Sequence, residues 1–343
     1  MLDPIQTGLL AYGMSGKVFH APFLSAHPGF ALRAVVERHR KQAALDYPGI
    51  LSHDSAEALL ADPAIELVVV CTPSSTHVAL AEQALRAGKH VLIEKPVATT
   101  VDELQALHAL GRQQGRHVLP YQNRRWDSDF QAVRQVVESG ELGRILEAHF
   151  RYDRYRMALS PKALKETPVP GSGLLHDLGP HLLDQVICLF GRPLGCRKTL
   201  GVNRPGSRVD DYFTLHLRYP DGLNVLVSGS LLVADPPPAF VLHGTAGSFR
   251  KSRGDVQEAQ LKAGTSPRSP GYGVEPAGEA GTLTLVDPAG ASKTTRALPT
   301  PKGDYMHLFE AAYRTIRHGA AYPVREDEAQ WQVALLEQAP TGW

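Results

Sequence analysis

Through its first 122 residues the chain alternates short apolar runs with helical stretches, and this alternation constrains the fold more than any other feature. Residues 6–12, 31–37, 66–72, 90–94 and 117–122 read as strands, with helices between them at 15–26, 55–61, 76–87 and 100–114. The run Leu67-Val68-Val69-Val70 is apolar throughout, as strands buried on both faces are. Thr100 followed by Glu103 forms a capping box at the start of the last of these helices. Strands separated by helices make βαβ units and a parallel sheet.

After Tyr121-Gln122-Asn123 the pattern changes. A helix is predicted over 129–139, a strand over 146–152, a Pro-rich loop over 160–173 and a helix over 178–190. Strands at 212–219 and 223–231 flank the turn Pro220-Asp221-Gly222, a hairpin signal, and strands at 240–243 and 248–250 follow. Residues 253–282 are rich in Gly, Pro and charge and read as a long surface loop. Helices at 304–318 and 326–337 close the chain. The expected class is α/β: a doubly wound parallel domain at 1–122, then an α+β domain at 123–343 with a mostly antiparallel sheet and helices on one face. The closing helices can pack back on the first domain.

A length of 343 residues suits two domains, each able to bury a core. Lys+Arg 36 against Asp+Glu 35 gives a formal net charge of +1, which offers no electrostatic case for nucleic acid or a membrane surface. Three cysteines, Cys71, Cys188 and Cys196, cannot all pair and none lies in a CxxC, so free thiols in a reducing compartment are expected. No apolar run approaches a membrane span and the first eight residues have no secretory pattern; the cytoplasm is the expected location.

The turn after the first strand, Ala11-Tyr12-Gly13-Met14-Ser15-Gly16, follows the GxGxxG dinucleotide pattern with Ala11 in place of its first glycine. Gly13 occupies the position where backbone approaches a pyrophosphate, and Gly16 the one where helix and strand pack closely. The helix start offers free N–H groups to phosphate. A methyl group at Ala11 is compatible with this if φ stays negative. The second strand ends at Glu37, about 20 residues beyond the turn, where a carboxylate can accept bonds from the adenosine ribose. Directly after it comes Arg38-His39-Arg40-Lys41, able to clasp a 2′-phosphate or simply to open a solvated helix. Glu37 points to NAD and the basic run to NADP; the expectation is NADP in preference to NAD.

Lys95, in Glu94-Lys95-Pro96, follows a parallel strand, and ligands of such sheets lie beyond the strands' carboxyl ends. It is either a proton-transfer group or a surface lysine before a turn. Asp177 and His181 are four apart and share a helical face. Pro180 between them is best tolerated in a first helical turn, which predicts a helix starting between His176 and Gly179. The pair suits general acid–base work on an alcohol or carbonyl, or else is a helix cap beside a core histidine.

Taken together, Gly-Met-Ser-Gly-Lys-Val-Phe-His-Ala-Pro at 13–22, Thr-Pro-Ser-Ser-Thr-His at 72–77, Ala-Gly-Lys-His-Val at 87–91, Glu-Lys-Pro at 94–96, Asn-Arg-Arg-Trp-Asp at 123–127 and Asp-Leu-Gly-Pro-His-Leu-Leu-Asp at 177–184 resemble the glucose–fructose oxidoreductase and inositol dehydrogenase (Gfo/Idh/MocA) family. The resemblance covers nearly the whole chain and is greatest to a branch with NADP-preferring scyllo-inositol dehydrogenases. It implies a Rossmann domain followed by a domain with a large open sheet. It further implies an NAD(P)-dependent oxidoreductase acting on a polyol, inositol or sugar-like alcohol. Lys95, Asp177 and His181 would be the catalytic set: His181 exchanging the hydroxyl proton, Lys95 bonding that hydroxyl, Asp177 orienting His181 or holding a neighbouring hydroxyl. Cofactor contacts would come from Ala11, Tyr12, Gly13, Met14, Ser15, Gly16, Lys17, Val18, Glu37, Arg38, Glu94, Lys95, Pro96 and Asn123. Cys71, Thr72, Pro73, Ser74 and His77 would lie under the nicotinamide half. Arg124, with Asp153 and Tyr155, would face substrate.

The open sheet is expected to expose an apolar face and so to support a homodimer or homotetramer. Two other readings remain: a non-catalytic NAD(P)-binding regulator, which the presence of Lys95 and His181 disfavours, and an NAD-dependent glycosidase.

Overall fold

In the computed structural model, which describes residues 3–161, 166–287, 289–290 and 292–341, the alternating first part of the chain forms a six-stranded parallel sheet. Its strands are β1 (Ile5–Leu9), β2 (Phe30–Val36), β3 (Leu51–His53), β4 (Leu67–Val70), β5 (His90–Ile93) and β6 (Val118–Pro120), in the order β3-β2-β1-β4-β5-β6. All four residues of β4 are buried, in keeping with a central strand covered on both faces. Helices α1 (Ala21–Ala26), α2 (Ala43–Asp46), α3 (Ala56–Leu60), α4 (His77–Arg86) and α5 (Val101–Gln114) lie between the strands. The Thr100–Glu103 capping box is formed at α5. The strand order reverses between β1 and β4, so the loops leaving their carboxyl ends diverge and open a crevice.

The chain divides into two compact units, one of Met1–Asn123, Gln257–Tyr272 and Asp304–Gln330, the other of Arg124–Val256, Gly273–Gly303 and Trp331–Trp343. The second unit holds α6 (Ser128–Ser139), β7 (Ile145–Asp153), α7 (Gly173–Phe190), β8 (Gly195–Gly201), β9 (Tyr212–Arg218), β10 (Asn224–Ser230), β11 (Phe240–Gly244), β12 (Gly247–Lys251), β13 (Gly281–Val286) and β14 (Lys293–Leu298). These strands form one sheet, β14-β13-β12-β11-β7-β10-β9-β8. Every pairing is antiparallel except the parallel one between β7 and β10. Ala148, Phe150, Phe213, Leu215, Val225 and Val227 alternate along their strands and meet Leu175, Leu178, Leu182 and Val186 of α7 in the core.

Several expectations are corrected. The helix carrying Asp177 and His181 starts at Gly173, so Pro180 lies inside it. The early start is held by Asp210, whose backbone oxygen accepts the Leu174 N–H at 2.9 Å and whose Oδ2 accepts the Leu175 N–H at 2.7 Å. Those groups replace intrahelical partners from outside the local sequence. Residues 15–20 form a turn of π-helix before α1 rather than a continuous α-helix. The expected surface loop at 253–282 contains a further helix, α8 (Gln257–Lys262), and reaches β13. It buries Gln257, Leu261 and Tyr272, and Gln257 Oε1 accepts the Tyr305 N–H at 2.8 Å. Strands β3, β8, β13 and β14 were not anticipated from the sequence. The closing helices are α9 (Met306–His318) and α10 (Glu326–Glu337). Part of the predicted loop at 160–173 lies outside the described residues.

The large sheet's second face is not apolar as expected. The outward positions of β7, β9 and β13 carry Glu147, His149, Arg151, Thr214, His216, Thr282 and Thr284. The period-two alternation that fills the core places these polar residues opposite it. An apolar-face argument therefore does not carry the expected homodimer or homotetramer. Cys71, Cys188 and Cys196 are free thiols. Among the described residues no helix is long and apolar enough to cross a membrane.

Candidate active site

The glycine-rich turn joins β1 to the π-turn at the sheet's switch point. A side chain on Gly16 would overlap the Ala11 carbonyl oxygen, so glycine is required for this close packing. A Cβ on Gly13 would meet nothing within 4 Å, leaving its backbone open to approach. Ala11 needs no special backbone: Asp221 is the only non-glycine with positive φ among the described residues. The turn thus fits a pyrophosphate, with the following N–H groups at its edge. Met14 is exposed and Val18 half-buried. Tyr12 donates its hydroxyl to Asp46 Oδ2 at 2.8 Å, and Lys17 Nζ pairs with the same oxygen at 2.7 Å.

At the end of β2 the buried Glu37 carboxylate is fully engaged. Its Oε1 accepts the Gln42 N–H at 2.7 Å and the Ala43 N–H at 3.1 Å, and its Oε2 accepts the Ser52 hydroxyl at 3.0 Å. The basic run splits in two. Lys41 bonds Asp54 and the Glu37 carbonyl, both at 2.6 Å. Arg38, His39 and Arg40 are exposed, and no ion pair engages Arg38 or Arg40 among the described residues.

At the end of β4, the Cys71 thiol donates to the Ala11 carbonyl at 3.2 Å, and burial pushes it up to about 12, so it is inert as a nucleophile. Thr72, Pro73 and Ser74 lead into α4, whose first residue, His77, is buried. The His77 ring nitrogens face the carbonyls of Thr72 at 2.9 Å and Pro96 at 2.8 Å, tying the β4 loop to the loop after β5. That second loop holds Glu94, half-buried Lys95 and Pro96, with a cis Lys95–Pro96 peptide. Glu94 Oε1 accepts the Ser15 hydroxyl and lies 3.0 Å from His20 Nε2, while Oε2 accepts the Lys95 N–H at 3.2 Å. Burial alone would raise this carboxyl, but the His20 and Ser15 bonds and the Lys95 charge outweigh it and hold it at about 2. Asn123, buried, ends the first segment of this unit.

In the second unit, Asp177 and His181 lie one turn apart on α7, Asp177 half-buried and His181 buried. The amino-terminal part of α7 is anchored by Asp210 and its middle by a buried bidentate pair that sequence reasoning missed. Arg125 Nε and Nη2 each donate to Asp184 at 2.8 Å. This pair joins two motif blocks that the sequence shows only as separate stations. Gln185 Nε2 adds a bond to the Arg124 carbonyl at 2.9 Å. Arg124 bonds Asp127 at 3.2 Å and faces the Tyr152 ring, as do Arg154 and Arg253. Asp153, at the end of β7, is half-buried, which raises its carboxyl, while Tyr155 is exposed. Among the described residues no group of His, Cys, Asp and Glu could hold a metal ion.

A parallel sheet in this order, with a glycine turn at its switch point and a lysine after β5, defines a dinucleotide-dependent oxidoreductase frame. The chain belongs to the Gfo/Idh/MocA oxidoreductase family. Residues 5–122 match the family model described as an oxidoreductase family NAD-binding Rossmann fold, and residues 130–250 match the GFO/IDH/MocA C-terminal domain. An uncharacterised oxidoreductase of Schizosaccharomyces pombe is 36% identical, over 98% of this chain and 97% of its own length. The scyllo-inositol 2-dehydrogenase (NADP(+)) IolW of Bacillus subtilis is 33% identical, over 98% of this chain and 93% of its own. The solved oxidoreductase yvaA of Bacillus subtilis matches with a TM-score of 0.92 at 33% identity, over 98% of this chain and 95% of that one.

Proposed function

We propose that this oxidoreductase is an NADP-dependent dehydrogenase or reductase of a polyol, inositol or sugar-like alcohol. The observation that carries the cofactor reading is the contrast at the end of β2. Glu37 is turned inward onto backbone N–H groups, while Arg38 and Arg40 are exposed and make no ion pair among the described residues. An inward Glu37, already committed to three donors, is less available to a ribose 2′-hydroxyl, and exposed guanidiniums bind phosphate well. The NADP(+)-dependent relative from Bacillus subtilis supports the same choice.

A dinucleotide held by its pyrophosphate at the glycine turn would supply hydride transfer to or from the substrate carbon. The protein's part is acid–base and positional. The His181 imidazole takes the hydroxyl proton during oxidation and returns it during reduction, and the Asp177 carboxylate, one helical turn away, orients that ring. Lys95 donates through its ammonium to the reacting oxygen. Arg124 and Asp153 are the substrate-facing candidates, and the hydroxyl-rich class of substrate rests on them and on the inositol dehydrogenase relative. Incubating the protein with inositols, polyols and sugars and either NADP+ or NAD+ tests the reading through absorbance of the reduced nicotinamide. Turnover faster with NADP+ is expected; no reduction of either cofactor across the panel refutes it.

A further inference from the structure

We infer that His20 is a positioning residue: through Glu94 it sets the Lys95 backbone and the first helical turn after the glycine-rich turn. The inference rests on the dinucleotide and Lys95 reading above, but it concerns a residue that reading does not use.

His20 is fully buried. Its ring centroid lies 4.2 Å from that of Tyr121 and 6.2 Å from that of Phe309, so its surroundings are aromatic. Tyr121 is itself fixed, donating its hydroxyl to the Phe19 carbonyl at 2.9 Å. In such a pocket a phenyl ring would pack as well without a polar group to satisfy. His20 Nδ1 indeed has no hydrogen-bond partner among the described residues. The ring's one polar contact among the described residues is Nε2 to Glu94 Oε1 at 3.0 Å. Because Glu94 is ionised it can only accept, so Nε2 carries the hydrogen.

Glu94 is where the two functional segments meet. One oxygen takes the Ser15 hydroxyl and the His20 N–H, and the other takes the backbone N–H of Lys95 at 3.2 Å. Ser15 opens the helical turn that follows Gly13 and Met14. A carboxylate held by three donors in a buried site has one orientation, and that orientation fixes both the phosphate turn and the base of Lys95. Without His20 the carboxylate keeps two donors and is free to swing about its own side chain, loosening both segments.

The test is NADPH titration of the full chain without substrate, followed by nicotinamide fluorescence. The variants are His20→Phe, His20→Gln, Glu94→Gln and the double variant His20→Phe/Glu94→Gln, each checked for cooperative thermal unfolding. His20→Phe keeps the ring and should weaken NADPH about tenfold, the effect of removing a donor from a charged acceptor. His20→Gln, whose amide nitrogen can reach Glu94, should stay within about threefold of wild type because that bond is restored. The double variant should bind no more weakly than the worse single variant, since both changes break one linkage. If His20→Phe does not fold, His20→Asn, whose shorter amide cannot reach Glu94, replaces it with the same expected loss. Wild-type affinity in the variant lacking the donor, or losses that multiply in the double variant, overturns the inference while leaving the cofactor reading intact. A wild-type protein that binds neither NADPH nor NADH overturns that reading and this inference with it.

Discussion

Two glutamates directly follow parallel strands of the first sheet, Glu37 after β2 and Glu94 after β5, and in sequence they look alike. Both lie in the folded unit with their carboxylates saturated by local donors, yet the donors differ in kind. Glu37 receives two backbone N–H groups at the start of α2 and a serine hydroxyl on β3, all scaffold. Glu94 receives the serine that opens the phosphate turn, a buried histidine and the peptide of Lys95. Place at a strand's carboxyl end is thus shared, while the donors differ: scaffold groups for Glu37, and groups beside the proposed site for Glu94.

The sharpest expected effects lie at Lys95, which follows β5, and at His181 on α7. Lys95→Ala and His181→Ala should each lower turnover by about 100- to 10,000-fold, the range for lost acid–base groups, with NADPH affinity little changed. Steady-state rates beside fluorescence titration check this, and wild-type turnover in both would remove the catalytic assignment. At the β2 end the expected effect is on stability. Glu37→Ala strands the Gln42 and Ala43 N–H groups and should cost about 1–3 kcal/mol in denaturant unfolding. The NADPH-to-NADH preference should not move. A selective loss of NADH affinity would show instead that Glu37 serves the ribose, and the contrast between the two glutamates would break.

A smaller effect sharpens the same contrast. Arg38→Ala should weaken NADPH about tenfold, as one guanidinium–phosphate contact is worth, and leave NADH nearly unchanged. Equal losses for both cofactors would leave the 2′-phosphate without its proposed partner.

How much of this was legible in the sequence follows from where each interaction originates. The βαβ pattern, the α5 capping box and the β9–β10 hairpin are written locally, in apolar runs and in residues a few positions apart. The start of α7 was not legible because Asp210 caps it from 35 positions beyond Leu175. The same holds for α8, whose buried Gln257 accepts the N–H of Tyr305, 48 positions further on. Of the proposed catalytic residues, Lys95, Asp177 and His181 were visible as motif letters. The Arg125–Asp184 pair was visible only as two separate letters, since nothing in either block names the other. Glu37's letter suggested a ribose partner; in the fold its carboxylate accepts two backbone N–H groups and the Ser52 hydroxyl, which the sequence did not show. The alternation Thr282-Leu283-Thr284-Leu285 did signal β13, and with it the polar outer face, but the Gly- and Pro-rich stretch before it masked the pattern.

A further effect expected is a pH dependence of stability at Glu94. Its carboxyl is held at about 2 in the folded chain, against about 4.3 for an unperturbed glutamate. Between those values the unfolded chain binds a proton at this position and the folded chain does not, so stability rises with pH across the window. The stabilisation is therefore fully present above about pH 4.3 and is lost as the pH falls toward 2. Subtracting the stability of Glu94→Gln from that of the wild type, pH by pH, removes what the other carboxylates contribute. The difference should shrink steadily from pH 5 to the acid limit of folding, because protonated Glu94 no longer accepts charge-assisted bonds from His20 and Ser15. A flat Glu94 line would mean that the carboxylate is not held by its three donors, and the positioning of Lys95 would need another source.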